Sequence, residues 1–317
     1  MSTWPGRSLG ITAIVLGVVA PPAPTGSPEP AAASGPSVAL TFDDLPVHAA
    51  LPAGMTRTDV AKSILAVLAA HHAPPTYGFV NAQGLVDPAN GEVLRLWRAA
   101  GHPLGNHTFS HIDLNAHPVE DFEADVRKNE RALRAYMGDA DWHWLRYPFL
   151  HEGDTMEKRH AVRQFLKDNG YKIAQVTLNF DDWAFNDPYA RCLAKNDAAS
   201  VEWLKDAYLR RARNAVAAGP ETAQRIYGHD VPHVFLLHIG AFETVMLPRL
   251  LDLLEERGFQ LVPLPEAQAD PAYAVDPDVA FPGGGTLFDQ MKRARGLTDP
   301  APGVPDDTLA KVQGLCT

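Results

Sequence analysis

Cysteine is scarce in this chain. Its two residues, Cys192 and Cys316, lie far apart, so they cannot build a C-x-x-C redox or metal motif with each other. Basic charge is short as well: 28 Lys and Arg stand against 38 Asp and Glu, a net of −10. The attraction that dominates nucleic-acid affinity would be repulsion here, so nucleic acid is not expected as a partner. Internal repeats are absent too. The apolar run from Leu9 to Ala20 falls short of the roughly 20 residues that a permanent membrane-crossing helix needs. What is present fits one large domain with tails: 317 residues, 46% hydrophobic and 21% charged, enough apolar material for a packed core and too much for global disorder.

The Leu9 to Ala20 run follows Arg7 and precedes a stretch rich in Pro, Ala, Ser and Gly. Its length suits the apolar region of a secretory signal, roughly 7–15 residues. Residues 1–36 therefore read as a signal peptide and Pro/Ala-rich leader, with Ala31-Ala32-Ala33 and a site near Ala20 as cleavage candidates. The expected location is secreted or periplasmic, with membrane contact only through an uncleaved signal anchor. Export would permit a Cys192 to Cys316 disulfide.

From Val38 onward short β-branched or apolar runs alternate with segments of helical period, the pattern of βα units. Strands are expected over Val38 to Phe42, Thr76 to Val80, Trp144 to Tyr147, Lys172 to Leu178, Val234 to Leu237 and Gln260 to Val262. Amphipathic helices are expected over Asp59 to His72, Val119 to Met137 and Val201 to Ala218, with a last one from Pro248 to Arg257 that places Pro248 in its first turn. A catalytic domain would then span 37–265 with an insertion at 185–230. Eight prolines between Pro263 and Pro305 and the run Gly283-Gly284-Gly285 mark 266–317 as an irregular extension. The alternation fits a ring of strands or an open sheet equally well.

The chemistry-bearing residues fall at strand ends, where parallel α/β folds carry their sites. The first strand ends in Asp43-Asp44; one carboxylate can bind a metal and the other can take a proton. His107 and His111 are four apart, so a helical turn would put both imidazoles on one ion. Together with one carboxylate they make three ligands and leave a position open, the pattern of catalytic zinc. Arg146 stands at another strand end and can hold a carboxylate ionised. It is followed by Tyr147-Pro148-Phe149, a stiff turn able to present a backbone N–H to an oxyanion. Asp182-Trp183 offers a carboxylate to orient an imidazole and an indole to line a pocket. Leu236-Leu237-His238 closes a very hydrophobic strand, and an imidazole there has the pKa of a general acid.

In this order the features resemble the polysaccharide deacetylases of carbohydrate esterase family four, over about Val38 to Leu264. The resemblance rests on Thr41-Phe42-Asp43-Asp44, His107-Thr108-Phe109-Ser110-His111, Arg146-Tyr147-Pro148-Phe149, Asp182-Trp183 and Leu236-Leu237-His238. It implies an α/β fold, a distorted (β/α) barrel. It implies one divalent metal, zinc ahead of cobalt or nickel, on Asp44, His107 and His111. Asp43 would be the base that activates water, Arg146 its holder, His238 the acid for the leaving nitrogen and Asp182 the residue that orients it. Tyr147, Phe149, Trp183 and Leu236 would face an acetylated glycan such as chitooligosaccharide, peptidoglycan or exopolysaccharide. Asn179 stands where the family often has an aspartate, which makes Asp181 a second candidate beside Asp182. Two other functions keep the same residues: an esterase or small-amide hydrolase, and a metal-free carbohydrate-binding relative.

Overall fold

Strand β1 (Ser37–Leu45) shows why this sequence curls into a barrel. Val38, Leu40 and Phe42 join the main apolar core, whereas Ala39, with Tyr77, Phe79, Trp144 and Val234, packs in a smaller cluster on the other side of the sheet. Alternate residues of a strand point to opposite faces, so Ala39, Thr41 and Asp43 share the inner face. The computed structural model describes residues 1–4, 6, 35–298 and 307–317. The expected signal run and its cleavage sites lie outside the described residues. Residues 35–317 form one compact unit.

Along the chain β1 is followed by α1 (Arg57–Ala70), β2 (Tyr77–Val80), α2 (Gly91–Ala99), β3 (Leu104–Asn106), α3 (Val119–Met137), β4 (Trp144–Leu145), α4 (Met156–Asp168) and β5 (Lys172–Ile173). Then come α5 (Asn186–Ala194), α6 (Ala198–Tyr227), β6 (His233–His238), α7 (Glu243–Glu256), β7 (Gln260–Leu261), α8 (Leu264–Ala267), α9 (Leu287–Ala294) and α10 (Thr308–Gly314). All strand pairings are parallel, in the order β5-β4-β3-β2-β1-β6, with β7 on β1. The segment after β5 bends across to β6, where Leu178 bridges Phe235. One stretch of chain thus pairs with β4 at its start and β6 at its end, curling the sheet into a distorted barrel.

Helix α1 starts at a capping box between Thr56 and Asp59 and buries Val60, Ile64 and Leu68. Helix α3 buries Phe122, Val126, Leu133 and Met137, and from the same face Asn129 bonds Val80, Ala82 and Asn106 at the site end of the barrel. Helix α6 runs through Gly219-Pro220. A Cβ on Gly219 would sit 2.5 Å from Leu178 Cδ2, so the glycine lets this helix lie close against that side chain. The expectation for the last long helix needs correction: α7 begins at Glu243, which leaves Pro248 inside it rather than in its first turn. The apolar residues Met246 and Leu247 are buried against the core, and that burial outweighs the hydrogen bond that Pro248 forgoes.

Beyond Leu264 the chain carries α9 and α10, and an ion-pair cluster and a disulfide are among its ties to the rest of the unit. Arg159 and Arg163 of α4 form ion pairs with buried Glu152 and with Asp276. Cys192 of α5 is joined to Cys316 by a disulfide, with Cα atoms 5.1 Å apart and 124 residues between them in sequence. A cross-link over so long a loop restricts the unfolded chain strongly. Replacing both cysteines with serine should lower the free energy of unfolding by about 2–5 kcal/mol, read from urea titrations with the native chain as reference. An unchanged midpoint would mean that the bond contributes nothing.

Candidate active site

The C-terminal ends of β1, β3, β4 and β6 converge on a cavity of about 510 Å³. It is lined by Asp43, Asp44, His107, His111, Tyr147, Phe149, Trp183, Leu236 and His238. Every residue singled out from the sequence touches this space except Arg146 and Asp182, which stand directly behind Asp43 and His238. A larger cleft of about 620 Å³ runs along α4 and β5 and includes none of them.

Asp43 and Asp44 reach the same cavity because Asp44 has φ 65°. This left-handed turn brings the second carboxylate round from the face that strand alternation would give it. In the parallel register Asp43 lies opposite His238 of β6. Asp43 Oδ1 and Oδ2 accept from Arg146 Nη1 at 3.1 and 3.2 Å. The guanidinium also donates to Thr41 Oγ1 and to the carbonyl of Ala174, and sits 4.7 Å from the Phe79 ring centroid. Burial pushes the Asp43 pKa up to about 6, with Arg146 pulling the other way.

Asp44 divides its oxygens. Oδ2 is 2.7 Å from His48 Nδ1, whereas Oδ1 is buried with no hydrogen-bond partner and lies 3.5 Å from both His107 Nε2 and His111 Nε2. Burial favours the protonated acid, but the His48 hydrogen bond and the neighbouring imidazoles outweigh it and hold Asp44 well below the usual carboxylate range. His107 Nδ1 donates to the Arg146 carbonyl at 2.8 Å, which leaves Nε2 as the lone-pair nitrogen facing Asp44. Burial lowers both His107 and His111 to about 4, so they are neutral at working pH, the form that ligates.

The two imidazoles do not share a helical turn. Thr108 and His111 both have positive φ, 63° and 60°, in a loop. Asn106 Oδ1 accepts from the Thr108 N–H, Asn81 donates to the His107 and Thr108 carbonyls, and Asp125 holds the Ser110 N–H and hydroxyl. These bonds stabilise the loop over a helix and set the rings 4.9 Å apart. One ligand atom each from Asp44, His107 and His111 lie within 4.8 Å of one another. A tetrahedral ion with bonds of about 2.1 Å needs ligand separations of about 3.4 Å. The 3.5 Å spacings and the orphaned Asp44 oxygen therefore fit a divalent cation.

Opposite this cluster, Asp182 is buried; Oδ1 lies 2.9 Å from His238 Nδ1 and Oδ2 accepts the His238 backbone N–H at 2.7 Å. Burial alone would lower the His238 pKa. Asp182, with Asp44 and Asp43 behind it, outweighs that cost and pushes it up to about 9. Asp181 does not compete for this position: it pairs with Arg211 of α6 at 2.7 Å. Trp183 and Phe149 stand 44% and 55% exposed at the cavity wall, whereas Leu236 and Tyr147 are buried in its floor, the Tyr147 hydroxyl without a protein partner.

The polysaccharide deacetylase family model matches residues 31–174. Over that span the chain is similar to polysaccharide deacetylases. Over 114 residues it is 34% identical to a chitooligosaccharide deacetylase of Sinorhizobium fredii, covering 36% of this chain and 47% of that protein; here the chain spans about half of its relative's length. Over 244 residues it is 25% identical to a chitin deacetylase of Colletotrichum lindemuthianum, covering 74% and 79% of the two chains. The solved polysaccharide deacetylase of Bacillus cereus superposes with a TM-score of 0.51 at 17% identity, over 72% of this chain and 91% of that one, which shows a shared fold.

The matched residues take in Asp43, Asp44, His107, His111 and Arg146, while Asp182 and His238 lie beyond them and reach the site through the barrel. Two features escaped the sequence reading. One is His48, whose only signal was an imidazole four residues after Asp44. The other is Gly283-Gly284-Gly285, which closes one side of the cavity; a Cβ on Gly284, at φ +65°, would lie 2.6 Å from the Phe149 carbonyl oxygen. The buried ion pair yields a stability test. Arg146→Leu leaves Asp43 without its counter-charge and should cost about 3–5 kcal/mol of unfolding free energy, measured by urea titration at neutral pH; a loss under about 1 kcal/mol, the range of an exposed pair, would contradict the pairing.

Proposed function

We propose that this chain is a secreted, metal-dependent hydrolase that removes N-acetyl groups from amino-sugar glycans of the chitooligosaccharide, peptidoglycan or exopolysaccharide type. The observation that carries this reading is the orphaned Asp44 Oδ1 held equally far from two neutral imidazoles, with a buried carboxylate on one side and a charged imidazole on the other. The names of the two relatives support the substrate class. Export is supported by the apolar run from Leu9 to Ala20 and by the disulfide, a bond that persists chiefly in oxidising compartments.

Asp44, His107 and His111 would hold the cation, which supplies Lewis acidity and lowers the pKa of water from about 15.7 to about 7. Asp43, kept in place by Arg146, accepts the proton of the water that attacks the acetyl carbonyl. The backbone N–H near Phe149, in a turn where Phe149 and Leu150 have φ 58° and 54°, donates to the oxygen on which negative charge gathers. Losing one such donor typically costs about 10²–10³ in rate. The C–N bond then breaks as His238, whose Nδ1 is fixed by Asp182, delivers a proton to the departing nitrogen from its other ring nitrogen. Acetate and a free amine result. A general acid held protonated to about 9 suits an amine, which leaves poorly unless protonated, better than the alcohol of an O-acetyl ester. Trp183 offers its exposed indole as a stacking face for a sugar ring.

Asp43→Asn should keep zinc, measured as bound metal per chain, yet lose about 10²–10⁴ in turnover; His107→Ala should lose metal as well. Acetate release would be followed on N-acetylated oligosaccharides, O-acetyl esters and small amides, with chelation and zinc restoration. Full activity of Asp43→Asn at saturating zinc would overturn the base assignment, and acetate released only from esters would overturn the amide reading.

The charge on His238 adds a pH test. Its pKa is raised, so the acid form is present below about 9 and is lost as pH rises through that value. The alkaline limb of kcat/KM should fall near pH 9 in the native enzyme, and in Asp182→Asn it should move toward or below the ordinary imidazole value of about 6.5. An alkaline limb that stays put in Asp182→Asn would remove His238 from the acid role.

A further inference from the structure

His48 belongs to none of the five motifs, yet its imidazole lies inside the site. Its side chain is 12% exposed, and its ring centroid is 4.9 Å from that of His238. Nδ1 stands 2.7 Å from Asp44 Oδ2. An ionised carboxylate only accepts hydrogen bonds, so Nδ1 carries the proton and donates. The backbone that presents the ring is fastened from two sides. Arg57 of α1 donates to the carbonyls of His48 and Ala49, and Asp187 of α5 accepts the Ala50 N–H at 2.8 Å. This loop is therefore a built support.

The bond has a directional effect on Asp44. With Oδ2 occupied by His48, Oδ1 alone is turned toward the gap between His107 Nε2 and His111 Nε2, at 3.5 Å from each, and nothing in the protein satisfies it. A carboxylate without that restraint would rotate about its last bond and exchange its two oxygens. We propose that His48 is a positioning residue that locks Asp44 as a one-oxygen ligand, so that the loop held by Arg57 and Asp187 helps set the protein's affinity for its cation. This inference rests on the metal reading of Asp44, His107 and His111, and it extends the ligand set one residue outward, to a side chain that bonds a ligand residue.

Zinc affinity of the full chain, measured by competition with a chromogenic chelator, tests it. Removing a group that orients a ligand typically weakens metal binding by 10–100-fold, about the loss expected for His48→Phe. His48→Asn places an amide N–H where Nδ1–H stands and should recover most of that loss; His48→Gln, whose amide reaches one bond further, should not. The visible absorption of the cobalt-loaded chains gives a second readout, expected to shift in His48→Phe and to stay with the native spectrum in His48→Asn. If His48→Phe does not fold, the contrast between His48→Asn and His48→Gln decides alone. Native affinity in His48→Phe or His48→Gln, or equal weakening in His48→Asn and His48→Gln, overturns the proposal. Failure of the native chain itself to bind zinc or cobalt would overturn the underlying metal reading, and this inference with it.

Discussion

A guanidinium inside a barrel is tolerable only if its donors find acceptors and its charge finds a partner, and the site follows from how Arg146 meets that demand. Thr41 and Asp43 lie two residues apart on the inner face of β1 and both accept from it, while Ala174, next to β5, takes a third donor. The same arginine's carbonyl takes the Nδ1 proton of His107. One residue at the end of β4 therefore fixes the carboxylate assigned to proton transfer and the tautomer of an imidazole assigned to the metal. The cost of burying the pair remains visible in Asp43, which titrates near 6 despite the adjacent positive charge. A carboxylate poised there is a better base near neutrality than an exposed aspartate.

The two flanks of the cavity use opposite electrostatics for different ends. Around His107 and His111 burial prevails and the imidazoles stay neutral; at His238 the buried Asp182 prevails and the imidazole stays charged. Among these three histidines, His107 and His111 are lowered to about 4 and His238 is raised to about 9, and the rise traces to the Asp182 carboxylate hydrogen-bonded to the His238 ring.

Much of this was legible in the sequence because the chemistry sits at strand ends. The apolar run Val38 to Phe42 ended in Asp43-Asp44, and Arg146 and His238 stood at the ends of two more expected strands. Other parts depend on contacts that no local pattern encodes. Strand β3 has only three residues, too few for alternation to show, yet Asn106 at its end organises the histidine loop. The left-handed φ of Thr108 is unfavourable for a β-branched residue and persists only because Asn106 and Asn81 bond the loop around it. Asn179 withholds the acid that the family pattern supplies, and only the pairing of Asp181 with Arg211 shows that Asp182 alone faces the imidazole. His48 has no periodic or motif context at all, and the glycines at 283–285 reach the cavity only because the C-terminal segment folds back over the turn after β4.

The stretch from Lys172 to Leu178 has a consequence for how these molecules meet one another. Its first residues extend the sheet beyond β4, and its last ones occupy Val234 and Leu236 on the far margin, with backbone bonds from Thr177 and Leu178 to the Val234 carbonyl and from Leu236 to the Leu178 carbonyl. A sheet that ended at β6 would offer a row of unsatisfied amides to any extended peptide, the usual route to strand-by-strand aggregation. Here the chain caps that row with its own backbone. At this margin crowding at high concentration therefore meets a satisfied backbone and not an open ladder.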